Sequence, residues 1–247
     1  MKKILILIAT LAFLLPSTDV ESQVLSEKAK KKFTVGVDVF TDIWQYKIED
    51  PYMPVGYSNR TINQGATAFF MYNFPLGESL SVFSAGLAIR SHNSYSNSVI
   101  INIKSSQIEF NIIDDLPHPG RNIPLAYERS KINLTYLDLP VEYKFRTEGG
   151  FKFGVGLKVG YLIDSKQKYV GEWPVDFNFD AEDVQYNAVH EKSKKINNLE
   201  KWSYGATVRI GYKFISAFGY YQFSNIFETR KGPEMFPISV GLTITPF

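Results

Sequence analysis

Leu137–Phe145 reads LDLPVEYKF, Arg146–Gly150 reads RTEGG, and Phe151–Ile163 reads FKFGVGLKVGYLI. In the first segment Leu137, Leu139, Val141, Tyr143 and Phe145 occupy alternate positions, with Asp138, Glu142 and Lys144 between them. In the last segment Phe151, Phe153, Val155, Leu157, Val159, Tyr161 and Ile163 alternate with Lys152, Gly154, Gly156, Lys158 and Gly160. Strict period-2 alternation on both sides of a glycine turn predicts a β-hairpin, not a helix. Each strand exceeds the usual five or six residues and ends its apolar face in aromatics. An oily face of roughly ten residues opposite a small or charged face is what a membrane-spanning β-barrel strand needs.

The same pattern recurs along the chain. Further strands are expected at 33–43, 61–74, 79–90, 200–214, 217–227 and 236–245, giving eight in all with the hairpin. The loops between them fall at 44–60, 91–130, 165–199 and 228–236. In chain order the connections run long, short, long, short, long, short, moderate. The fold class expected is all-β: an eight-stranded antiparallel up-and-down transmembrane β-barrel with long extracellular loops and short periplasmic turns. The opposite orientation, a soluble lipocalin-like barrel with the apolar face inward, has the same period. Aromatics at the strand ends (Trp44, Tyr72, Phe74, Phe145, Tyr161, Trp202, Phe214) and the loop asymmetry favour the membrane.

Two details of pairing are expected. Inside 91–130, SVIINI and QIEFNII flank Lys104-Ser-Ser106 and read as an extracellular hairpin too short to span; placing it in the wall would give ten strands. Upstream of Leu137 the apolar residues Ile132 and Leu134 change parity, and Pro140 follows, which predicts a bulge or irregular pairing near 136–140.

Composition agrees with a barrel. Of 247 residues 45% are hydrophobic, 21% charged and 15% aromatic, with 19 Phe and 15 Tyr favouring strands. Mean hydropathy lies slightly below zero, as expected when half of every strand faces a polar lumen. No stretch beyond the N-terminus approaches 18 apolar residues, so no transmembrane helix is expected. Lys2 and Lys3, the apolar run Ile4–Leu15, Pro16 and the small polar end Val-Glu-Ser22 read as a signal peptide over 1–22. A flexible N-terminal lead follows at 23–32, and the barrel at 33–247. The net charge of +2 does not suggest nucleic acid. With no cysteine there is no disulfide, thiol chemistry or lipidated Cys.

The inward polar face predicts a lumen charge network of Asp38, Arg90, Asp138, Glu142, Lys144, Lys152, Lys158, Arg209 and Lys213. Eight strands enclose side chains and not a water-filled channel, so a charge-laced plug is expected and a porin is not. Trp44, Tyr46, Tyr52, Met53 and Tyr57 form a candidate partner loop, or else a girdle resting on lipid headgroups. No catalytic, cofactor or metal residues are assigned: His92, His118 and His190 all read as loop residues without an assembled triad. In DFNFDAED, Asp176, Asn178, Asp180 and Glu182 are spaced by two, but Ala181 and Asn187 stand where a calcium loop needs Gly and Glu. Lys192, Lys194 and Lys195 form a basic run in the third long loop.

Tyr136-Leu137-Asp138-Leu139-Pro140, followed by Gly154-Val-Gly156 and Gly160-Tyr161, resembles the PorT-like outer-membrane β-barrel family of Gram-negative cells. Its members pair an aromatic-Leu-acid-aliphatic-Pro strand with a Gly-rich one. The resemblance implies an outer-membrane location and outer-membrane lipid as surroundings. It also implies recognition by the outer-membrane assembly machinery, for which Phe247 is similar to the assembly signal. The role expected is a non-enzymatic structural or interaction component of the envelope, possessing envelope or secretion protein partners of the type IX kind. The alternatives are an adhesion or ligand-binding barrel acting through loops 91–130 and 165–199, and a loop-based lipid-modifying enzyme.

Overall fold

The structure, a computed structural model, describes residues 32–47, 50–77, 80–100, 102–115, 126–174 and 186–245. The expected signal segment 1–22, nearly all of the expected lead, His118, the acidic stretch 176–182 and Phe247 lie outside the described residues.

Among those residues the strands are β1 (Phe33–Tyr46), β2 (Gln64–Pro75), β3 (Ser81–Tyr95), β4 (Ser98–Ile100), β5 (Phe110–Ile112), β6 (Tyr127–Arg146), β7 (Phe151–Pro174), β8 (Tyr186–Lys194), β9 (Trp202–Tyr212), β10 (Ile215–Gln222) and β11 (Met235–Ile244). The wall closes antiparallel in the order β1, β2, β3, β6, β7, β9, β10, β11 and back to β1. It is therefore an eight-stranded barrel. The β4–β5 hairpin is a separate two-stranded sheet, so the ten-stranded alternative is set aside.

The alternation seen in the sequence resolves into an inside and an outside. Val35, Val39, Phe70, Leu87, Ile89, Leu137, Leu139, Leu157, Val159, Ile210, Leu242 and Ile244 are exposed on the outer surface. Asp38, Thr67, Ser84, Arg90, Asp138, Glu142, Lys158, Ser203, Ser239 and Thr243 are buried within. A soluble barrel would reverse these two sets, because apolar area is favoured away from water. Here the greasy face is offered to lipid. Aromatic contacts rim both ends of this band. Tyr161 meets Trp202 edge-on at 5.1 Å near the long connections, while Tyr72 meets Phe74 at 4.8 Å near the tight turns. Aromatic rings with one polar tip favour such interfaces. No described helix is long and apolar enough to cross a membrane.

Several expected boundaries move. Trp44 and Tyr46 belong to β1, not to a loop, and His92 belongs to β3. The expected loop 165–199 is partly strand: β7 runs on beyond the barrel to Pro174, and β8 pairs with this extension. The parity change in β6 is not a slip of that strand. Ile132, Leu134 and Tyr136 stay on the inward, even-numbered side with Asp138, and the interior itself changes from polar to apolar there. A register shift does occur between Thr135 and Tyr136, which pair with Asp164 and Leu162, leaving Ile163 of β7 as the extra residue. That single insertion reverses the parity of β7, so Ser165, Gln167 and Tyr169 become its buried residues. Pro140, which has no N–H, sits where the β3–β6 pairing lapses between Ala85↔Val141 and Ala88↔Asp138.

The outward face yields a direct test. Leu139 is 55% exposed near the middle of the band, so Leu139→Arg should destabilise the membrane-folded state by roughly 2–4 kcal/mol. Reversible urea unfolding in lipid vesicles measures this.

Candidate functional site

Inward-facing residues of all eight wall strands converge on two linked clusters. In the upper one Arg90 of β3 uses all five of its N–H donors. Its Nε and Nη2 donate to Asp138 at 2.8 and 3.1 Å, and Nη2 also donates to Ser203 Oγ at 2.6 Å. Nη1 donates to His92 Nε2 at 2.8 Å and to Gln222 Oε1 at 3.3 Å. The guanidinium also lies 4.7 Å from the Tyr136 ring centre and 4.8 Å from that of Tyr220. Such pairing is what makes a buried charge tolerable, since an isolated one costs several kcal/mol or more.

The protonation of His92 follows from its neighbours. Arginine has no acceptor, so Nε2 must accept from Arg90, which places the ring proton on Nδ1. Nδ1–H then donates to Asp42 Oδ2 at 2.7 Å, and Asp42 Oδ1 accepts from Ser239 Oγ at 2.6 Å. This is a neutral imidazole held at both nitrogens. Its Nε2, the atom a hydrolase would turn toward a serine or water, is occupied by a cation.

The lower cluster centres on Arg209 of β9. Its Nη2 donates to both carboxylate oxygens of Asp38 at 3.1 and 2.8 Å, its Nε to Thr243 Oγ1 at 3.0 Å, and its Nη1 to Glu142. Thr243 Oγ1 in turn donates to Asp38 at 2.6 Å. The Arg209 guanidinium lies 5.0 and 4.9 Å from the rings of Phe69 and Phe218. Lys158 bridges the two clusters. Its ammonium is 3.8 Å from Asp138 and 4.7 Å from the Tyr220 ring centre, and is held by charge and ring contact.

Glycines make room for this packing. A Cβ at Gly160 would come within 2.1 Å of Asp138 Oδ1 and 2.7 Å of Ser203 Oγ, and one at Gly65 would enter the Phe40 ring. These inward glycines thus answer to the bulk of charged and aromatic residues directly opposite them on the neighbouring strands of a narrow barrel.

At the long-connection end the polar lumen gives way to an apolar plug. Ile100, Ile108, Phe110 and Ile112 of the β4–β5 hairpin pack on Trp44, Leu134, Tyr136, Leu199, Phe227 and Met235. Gln167 of β7 clamps the hairpin, accepting from Ile100 N–H at 2.9 Å and donating to Ile100 C=O at 2.8 Å. Ser130 Oγ donates to Ser98 C=O at 2.6 Å, and Ile108 N–H donates to Lys231 C=O at 2.8 Å. The Tyr57 ring meets Phe110 edge-on at 5.6 Å, and its hydroxyl donates to Asn59 at 3.0 Å. Burial pushes that phenol up to about 12, so it remains a donor.

Of the expected network, Asp38, Arg90, Asp138, Glu142, Lys158 and Arg209 are brought together. Lys144 lies 3.7 Å from Glu142 at its margin, and Lys152 donates to Thr245 at 2.9 Å near the tight turns. Lys213 is corrected: it sits exposed in the β9–β10 turn with a φ of 50°, its ammonium 5.3 Å from the Tyr212 ring, because β9 ends one residue earlier. The candidate partner loop is corrected too. Trp44 and Tyr57 are buried in the plug, Tyr46 stacks edge-on against Tyr57, and Tyr52 is partly buried with its hydroxyl donating to Arg230 C=O at 2.7 Å. Asp42, His92, Ser203, Tyr220 and Gln222 complete the site without having been singled out as lumen residues. Asp42 was legible, since it shares even parity with Asp38; His92 shares parity with Arg90 and needed only the longer β3.

Removing one partner of the upper pair should be severe. Arg90→Met strips Asp138 of its hydrogen-bonded counter-ion, leaving only the Lys158 ammonium 3.8 Å away, and should cost about 3–5 kcal/mol, whereas Arg90→Met with Asp138→Leu and Lys158→Met should recover most of the loss. Urea unfolding in vesicles, followed by tryptophan fluorescence, checks the cycle.

Comparison with known proteins adds one finding. A family model described as outer membrane protein beta-barrel domain matches residues 56–228, well over half of the chain. No curated protein matches. The matched segment holds β2 to β10 of the wall, and the flanking β1 and β11 pair with each other to close it. With its apolar band turned outward, its polar lumen filled and its antiparallel wall closed, this chain belongs to the outer membrane protein beta-barrel domain family and is an integral protein of the outer membrane.

Proposed function

We propose that this barrel is a sealed, non-enzymatic component of the cell envelope that acts by holding and presenting its long-connection end to protein partners. The observation that carries the reading is the occupied lumen. Charge clusters fill its middle, the apolar plug covers the long-connection end, and backbone-clamped Ile100 ties that plug to the wall. A barrel so filled is a rigid mount, and connecting segments on a rigid scaffold are where binding is usually placed. The resemblance of Tyr136–Pro140 and Gly154–Tyr161 to PorT-like barrels points to secretion of the type IX kind as the setting, with the long connections extracellular and the tight turns periplasmic.

The non-enzymatic reading draws support from His92, which is wholly buried and engaged at both nitrogens, so this imidazole offers no free base to a nucleophile. Adhesion or ligand binding through the expected loops 91–130 and 165–199 remains the second reading, favoured by the length of the β3–β6 and β7–β9 connections.

Two experiments test the proposal. In planar bilayers the purified protein should give no steady conductance, and resolved channel openings would refute a sealed lumen. After cross-linking and mild detergent extraction, affinity purification with mass spectrometry should recover stoichiometric envelope or secretion subunits. Recovery of the chain alone, together with phospholipid turnover abolished by His92→Ala, would replace the proposal with a lipid enzyme.

A further inference from the structure

The β7 extension and β8 form an arm rising from the barrel next to β6, and the register arranges its basic residues in rungs. Tyr95 of β3, Lys131 of β6, Lys168 of β7 and Lys192 of β8 are successive cross-strand partners. The adjacent rung is Asn93, Asn133, Lys166 and Lys194. Directly paired residues share a face. Because Ser130, Ser165, Gln167 and Tyr169 are buried inward, the lysines lie on the outer face, where Lys192 and Lys194 are exposed. The bulge at Ile163 is what turns Lys166 and Lys168 outward. Without it their side chains would point into the lumen.

These rungs stand directly above the lipid-facing band. The last apolar rung beneath them is Ile89, Leu137, Tyr161 and Trp202. At about 3.3 Å per residue and a strand tilt near 45°, the rung of Lys166 and Lys194 lies about 10 Å beyond that edge and the rung of Lys131, Lys168 and Lys192 about 14 Å. Headgroup regions are about 5–8 Å deep on each side of the hydrocarbon, and lysine stems bend toward an interface that suits their ammonium. Among the described residues the carboxylate facing the array is Asp164, which is paired with Lys166, so that Lys131, Lys168, Lys192 and Lys194 carry the net positive charge of these rungs. Lys131 is steadied by Asn93 at 3.0 Å and lies 5.2 Å from the Tyr95 ring, whose other neighbour is the Arg60 guanidinium at 5.3 Å.

Surface lysines are commonly solvated, and lysines on an edge strand discourage unwanted pairing. That function accounts for Lys192 and Lys194 on β8. It does not account for Lys131 and Lys168, whose strands are paired on both sides. We propose that the outer face of the β6–β7–β8 arm is a docking surface for the phosphate headgroups of anionic lipid in the leaflet at the long-connection end. It holds the barrel in one lipid environment and fixes its depth, and it is independent of the partner-presenting role above.

Trp202, exposed directly below the rungs, is a built-in probe. The full chain carrying Trp44→Phe and Trp173→Phe is reconstituted into phosphatidylcholine vesicles in which either phosphatidylcholine or phosphatidylglycerol is the brominated, quenching lipid. Each cation near an anionic surface is worth about fivefold in binding. Brominated phosphatidylglycerol should therefore occupy the surroundings of Trp202 at least about fivefold in preference to brominated phosphatidylcholine. Changing Lys131, Lys168, Lys192 and Lys194 together to Gln should bring the preference to about one, as should about 1 M salt, where screening acts within about 3 Å. Equal quenching by both lipids in the parent protein, or a preference unchanged in the four-lysine variant, overturns the proposal. So does loss of the preference on adding inorganic phosphate, which would make the site one for free anion, or its loss on adding a captured envelope protein, which would make it a protein interface. If the fourfold variant does not fold, as judged by heat-dependent migration on gels, Lys168→Gln with Lys192→Gln carries the same comparison.

Discussion

Everything in this barrel answers to the narrowness of its lumen. Eight strands enclose space for side chains but little else, while the outer face must be apolar to sit in lipid. Polar residues are thereby driven into a confined interior, where each charge has to meet a partner or be lost. The Arg90 guanidinium, with five donors spent on Asp138, Ser203, His92 and Gln222, is the fullest expression of that requirement. Asp42, His92 and Ser239 extend it to β1 and β11, so one connected network ties together strands far apart in sequence.

The same confinement explains the glycines and the aromatics. A side chain at Gly160 would strike Asp138, so small residues on one strand are the complement of large ones on its neighbours. Rings of Phe69, Phe218, Tyr136 and Tyr220 lie against the cations and supply negative faces where no further carboxylate fits. Above this level polar contacts give way to apolar packing, and the β4–β5 hairpin finishes the seal. On the proposed reading, this polar core and apolar cap give a mount whose long connections start from fixed positions.

Much of this was readable from residue order. The hairpin Leu137–Ile163 showed its period plainly, since a lipid-facing strand must be apolar at every second position for about ten residues. The lumen residues followed as the complementary parity. Where the reading went astray, the cause was local. Lys213 shares the parity of Arg209, yet parity loses meaning once the strand turns, and the strand turns one residue before it. Trp44 and Tyr57 look like loop aromatics because nothing near them in sequence reveals the hairpin, some 50 residues on, that buries them. The irregular pairing expected near 136–140 is present, at Thr135–Tyr136 and beside Pro140, but the apolar Ile132 and Leu134 that signalled it are inward residues of a plug above the polar lumen.

Residue order alone determined that the chain forms long amphipathic strands with tight turns at one end, because alternation and turn chemistry are short-range properties. Only the tertiary structure decided which face looks outward and which acid meets which base. It also decided that one extra residue at Ile163 sends Gln167 inward to the plug and Lys168 outward to the membrane surface. Those choices depend on closure of the β1–β11 seam, which brings residues 205 positions apart into hydrogen-bond contact, as Thr243 is with Asp38. No local pattern encodes a contact that exists only after the ring of strands has shut.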